Sequence, residues 1–142
     1  MSNVLVWPLL IPFATAACML ALWQRPTAQQ AVSLTGAAAH LAACIIVLST
    51  VSSQGIQVLQ AGNWPAPFGI SLVADHLSAI MLVITGILSS ATAVYARGEM
   101  HRNLRTNVFH TLFHVLIGGL SGAFLTGDLF NLYVWFEVML IA

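Results

Sequence analysis

From Val4 onward the chain is a succession of apolar runs, each about as long as a bilayer is thick, separated by short polar breaks. That rhythm decides what it can fold into. Runs at 4–23, 31–51, 76–96 and 108–125 each hold close to the roughly 20 residues that an α-helix needs to cross about 30 Å of hydrocarbon. A fifth run, 128–142, begins in the same way, and the sequence ends within it. The expectation is a single all-α integral membrane region, 1–142, with four complete transmembrane helices and the start of a fifth. Composition excludes the alternative of a soluble domain: 59% of residues are hydrophobic and 6% charged, with mean hydropathy +0.92.

The few charges set an orientation. There is no lysine, and the four basic residues are Arg25, Arg97, Arg102 and Arg105. With net charge zero, nothing points to nucleic acid or an acidic partner. All four arginines fall in the polar breaks 24–30 and 97–107, which lie on one side of the bilayer. The positive-inside rule makes that side cytoplasmic and puts the N-terminus of this multi-pass protein outside. A secretory signal would carry a basic residue before the apolar run, whereas Arg25 follows it, so the first run reads as a retained helix. Trp7 and Trp23 near its ends suit the interfaces; Pro8 and Pro12 are tolerated in its early turns. Cys18 and Cys44 lie within apolar runs and read as small packing residues.

The second run is rich in alanine and includes Gly36, which suits close approach of neighbouring helices. Its His40 reads as a neutral imidazole bonded to a neighbour. In the connection 52–74, the prolines and glycines of GNWPAPFG exclude a helix, and Ile56 and Val58 before it, like Ile70 and Leu72 after it, alternate with polar or small residues as short strands do. A short non-helical outer loop or hairpin between helices two and three is expected. Asp75 precedes the third run and is a structural cap; Asp128 caps the fifth helix. His76 reads as a solvated interface residue. Gly118, Gly119 and Gly122 make a small packing face on the fourth run.

Two places call for chemistry. His110 and His114 stand four residues apart, on one face of the fourth helix. As metal ligands they lack a third or fourth partner nearby; as a haem site, His114 would need His40 facing it. As part of a polar track through the membrane they fit better, with His110 equally well explained by bonds to neighbouring groups. The other place is Glu137, nine residues beyond Asp128 in GDLFNLYVWFEVMLIA. Helix rise puts it about 13 Å below the outer surface, close to the midplane, where a carboxylate costs at least about 2.5 kcal/mol. Its position rules out a cap and its depth a surface salt bridge. What remains is pairing with a cation from another helix, or neutralisation by protonation. His114, about 18 Å below the same surface, is close enough in depth to exchange a proton with Glu137 directly or through water.

The segment Gly62–Leu82, GNWPAPFGISLVADHLSAIML, together with Phe109–Leu140, FHTLFHVLIGGLSGAFLTGDLFNLYVWFEVML, resembles the N-terminal part of the D subunit of Mrp-type multisubunit sodium/proton antiporters. That family is related to the proton-pumping membrane-arm subunits of respiratory NADH:quinone oxidoreductase. The resemblance implies a role as part of a monovalent cation (sodium)/proton antiporter complex, a secondary transporter rather than an enzyme. Its partners would be other subunits of a hetero-oligomer, the lipid bilayer, protons and sodium ions. In the family, the fifth-helix glutamate works with a lysine on the seventh helix to move protons. Glu137 stands at that position and is the expected proton acceptor, with His114 the candidate relay. Because a family member continues through further helices, this stretch is not expected to be active alone. No cofactor motif is present. Other readings are a membrane-arm fragment of a respiratory NADH:quinone oxidoreductase-like complex, a non-functional truncated remnant, and a haem-binding membrane cytochrome.

Overall fold

The computed structural model describes residues 3–64, 69–99 and 104–142. A short 3-10 turn, Asn3–Val6, leads into α1 (Trp7–Ala21) and α2 (Pro26–Gln54); strands β1 (Gln57–Gln60) and β2 (Ser71–Ala74) follow, then α3 (His76–Glu99), α4 (Leu104–Leu125) and α5 (Leu129–Ile141). Four of the helical segments are long and apolar enough to cross a membrane, and α5 is a shorter apolar helix. The surface is inverted relative to a soluble protein. Leu10, Leu20, Ile45, Ile46, Ile84 and Ile87 are exposed, while Thr15, Gln29, Ser33, His40, Ser89 and Ser121 are buried. Apolar groups outside and polar groups inside are what a hydrocarbon solvent selects, because only the interior offers hydrogen-bond partners. The chain is an all-α, multi-pass integral membrane protein.

Two boundaries depart from expectation for local reasons. α2 begins at Pro26, not near residue 31, so 24–30 is not a polar break. Proline suits a first helical turn because its missing N–H has no partner there in any case. Gln29 turns inward, and its Nε2 donates to the Met19 carbonyl at 2.8 Å, tying the start of α2 to the end of α1. α3 and α4 likewise extend into the expected break 97–107, of which 100–103 lie outside the described residues. Pro12 lies within α1 without ending it.

The helices approach closely where glycine allows it. α2 packs against α1, α3 and α4, and α4 also packs against α1, α3 and α5. A Cβ at Gly118 would sit 2.8 Å from the Phe13 ring of α1, one at Gly119 would meet Met139 of α5 at 2.8 Å, and one at Gly122 would run into the Trp135 ring. The glycine face of α4 therefore seats two helices at once.

At the end of the bundle away from Arg25, Gly55 closes α2 at φ 77°, a conformation that favours glycine. β1 and β2 then pair antiparallel, with Gln57 opposite Ala74 and Gln60 opposite Ser71. Leu72 and Ala74 join a core cluster with Leu5, Val47, Val51 and Leu125. Leu72 also bridges to Thr126, and the Gly127 N–H donates to the Ser71 carbonyl at 2.8 Å. The hairpin is thereby stitched to the α4–α5 turn. Residues 65–68 of GNWPAPFG lie outside the described residues.

Candidate functional site

The buried polar groups gather in one seam between α2 and α4. His110, His114 and Ser121 share one face of α4, and Gln29, Ser33 and His40 repeat that spacing on α2. Ser33 Oγ lies 3.1 Å from His114 Nε2, and His40 Nε2 lies 3.0 Å from Ser121 Oγ; both pairs are 81 residues apart. A constant offset at two levels means that α2 and α4 run parallel and in step. The same offset of 81 sets Gln29 level with His110. One turn across, His110 Nδ1 lies 3.2 Å from Ser33 Oγ, so this single hydroxyl bridges two imidazoles.

The two halves of the seam differ in how firmly their protons are placed. Ser121 donates to the Ile117 carbonyl at 2.9 Å. Its oxygen can then only accept from His40, which fixes that imidazole as the Nε2–H form. Cys44 Sγ lies 3.5 Å from the same nitrogen. Ser33 is bonded to the two histidines instead of a carbonyl one turn back, unlike Thr15, Thr35 and Thr85 on their helices. At the ends of this lower half, His110 Nε2, His114 Nδ1 and Gln29 Oε1 are buried without a hydrogen-bond partner among the described residues.

Glu137 is elsewhere. The face of α5 turned to the bundle carries Asn131, which is buried, and Trp135, whose ring stacks on Phe13 at 6.2 Å. Residues 135 and 137 differ by about 200° around a helix, so Glu137 looks away from α4 and is exposed. Tyr133, one turn earlier on the same open face, is its side-chain hydrogen-bond partner. Glu137 and His114, expected to exchange a proton, are not brought together: no hydrogen bond among the described residues joins them, and His114 is fully buried against Ser33. His40 and His114 do not face each other either. They sit seven residues apart in the register of the two helices, about 10 Å along the axis, which removes the geometry a shared haem would need.

Both acidic residues at helix starts are engaged there. The Asn131 N–H donates to Asp128 Oδ1 at 2.7 Å. The Ser78 N–H donates to Asp75 Oδ1 at 2.8 Å, and the Asp75 N–H returns a bond to Ser78 Oγ at 2.9 Å, a reciprocal box. The Ser78 backbone bond, then its hydroxyl, hold the exposed Asp75 carboxyl below the usual carboxylate range. Reading for acids and histidines missed Ser33, Gln29 and Ser121. The signal that finds them is the spacing they share with the histidines of α4.

No family model matches the chain. Over its full length it is 42% identical to the D subunit of a probable K(+)/H(+) antiporter of Rhizobium meliloti, covering 27% of that protein. It is 37% identical to the D subunit of a Na(+)/H(+) antiporter of Alkalihalophilus pseudofirmus, covering 29%, and 34% identical to that of Bacillus subtilis, also covering 29%. Among solved structures it matches a chain of the Mrp complex from Dietzia sp. DQ12-45-1b with TM-score 0.84 and 32% identity, over 99% of this chain and 26% of that one. A membrane-bound sulfane sulfur reductase, an archaeal respiratory membrane complex, shares the fold at TM-score 0.92 and 24% identity. The chain spans little more than a quarter of the length of the curated relatives it matches. Along all of its sequence, this membrane chain is similar to part of the D subunits of cation/proton antiporters, and in its fold to part of a chain of an Mrp complex.

Proposed function

We propose that the chain forms part of the membrane subunit of a monovalent cation/proton antiporter, sodium being the expected cation, and acts only in a complex with other subunits. Glu137 is its proton acceptor. The observation that carries this reading is an exposed carboxylate on the open face of an apolar helix, hydrogen-bonded to Tyr133, in a chain similar throughout to antiporter D subunits. A carboxylate in that setting is stabilised either by a cation from a further helix or by taking up a proton, and alternation between the two is how it would carry protons. The sequence relatives favour an antiporter over the respiratory complex, whose likeness is one of fold. The chain lies in the bacterial inner membrane with its N-terminus and hairpin outside, a reading supported by Arg25 and Arg97 at the opposite end of the bundle.

The test is Glu137→Gln in the assembled complex, which replaces the titrating group at nearly constant shape. Sodium- and potassium-driven proton movement in everted vesicles should fall to background, at normal levels of assembled complex. Unchanged flux would overturn the assignment.

A further inference from the structure

The lower half of the α2–α4 seam has a property that simple packing does not require. Ser33 Oγ is the only hydrogen-bond partner of either ring among the described residues, at 3.2 Å from His110 Nδ1 and 3.1 Å from His114 Nε2. The outer nitrogen of each ring, Nε2 of His110 and Nδ1 of His114, is buried and unpartnered. One hydroxyl has one proton. Accepting from both rings would leave that proton without an acceptor among the described residues; donating to one imidazole while accepting from the other satisfies all three groups, in either of two arrangements. In the first, His110 Nδ1–H donates to Ser33 and Ser33 donates to His114 Nε2, so both rings are Nδ1–H forms. In the second, every bond is reversed and both rings are Nε2–H forms. A seam built only for packing would hold its hydroxyl on a backbone carbonyl, as Ser121 does on Ile117.

We infer that His110, Ser33 and His114 form a proton wire along α4, separate from Glu137. A proton arriving at His110 Nε2 releases the Nδ1 proton to Ser33 Oγ. The serine's own proton passes to His114 Nε2, and the His114 Nδ1 proton leaves. One proton has entered and one has left, no net charge remains, and the wire has moved from the first arrangement to the second. A proton returning the other way, or rotation of the rings and hydroxyl, resets it. Gln29, level with His110, places its unpartnered Oε1 on the same face of α2, one turn before Ser33. Two buried polar atoms at that end, Gln29 Oε1 and His110 Nε2, have no partner among the described residues, and a water bonded to them would deliver the proton. His40 is not a member, because Ser121 and the Ile117 carbonyl fix its proton.

The wire rests on the antiporter reading only for the use its protons are put to, and two measurements separate the two claims. In the assembled complex, Ser33→Ala should slow proton-coupled transport at least about tenfold, whereas Ser33→Thr, which keeps the hydroxyl, should restore it. Independently of transport, nitrogen-15 solid-state NMR of histidine-labelled complex in bilayers reports the tautomer of each ring. The wire requires His110 and His114 to share one tautomer, and Ser33→Ala to uncouple them. Unlike tautomers in the unmutated protein, or wild-type transport in Ser33→Ala, would overturn it. A complex that moves no cation-coupled protons at all would instead overturn the antiporter reading, and the tautomers would still decide the wire.

Discussion

Asp75 has one clear job, at the start of α3: its carboxylate and the Ser78 hydroxyl cap one another's N–H. Asp75→Ala should cost about 1 kcal/mol, read as a lower thermal midpoint of the purified complex. Since the folded carboxyl is held below its unfolded value, this stabilisation is present at neutral pH. It is lost only as pH falls through the depressed value, so the variant and the parent should converge in acid and differ most above it. Gly122 does the opposite job, leaving room. A Cβ there would meet the Trp135 ring, and that ring cannot easily withdraw because it stacks on Phe13. Gly122→Ala should therefore destabilise by about 1–3 kcal/mol, while Gly98→Ala, with nothing within 4 Å, should not. Thermal denaturation of the two variants side by side checks this.

At the scale of the element, the apolar runs made the helices legible, because hydrocarbon thickness fixes their length. The hairpin was legible too, since GNWPAPFG excludes a helix and the flanking residues alternate. What run length could not show was where a polar residue belongs inside. Gln29 reads as loop by composition, yet one bond to the Met19 carbonyl makes it a buried helical residue. Nor does depth alone say which way a side chain points. Glu137 and His114 are at similar depths by helix rise but on faces that do not meet, because Trp135 takes the side of α5 nearest α4. The partnership of Ser33 with two histidines lies between helices distant in sequence, and only the fold brings them into step.

For the whole molecule, the arginine pattern and the hairpin assign opposite ends of the bundle to opposite sides of the membrane. In a cysteine-free background, Ser53→Cys should react with a membrane-impermeant maleimide in intact cells, and Gln24→Cys only after permeabilisation; the reverse pattern would invert the topology. The same hairpin also acts mechanically on the helix that carries Glu137. Leu72 and Ser71 hold Thr126 and Gly127 through backbone bonds, and Asp128 caps the next turn, so the first turn of α5 is clamped. A rod clamped at one end moves least there and most at its far turns. Any tilt of α5 thus pivots about the hairpin as a fulcrum, and Glu137, more than two turns along, sweeps the longer arc.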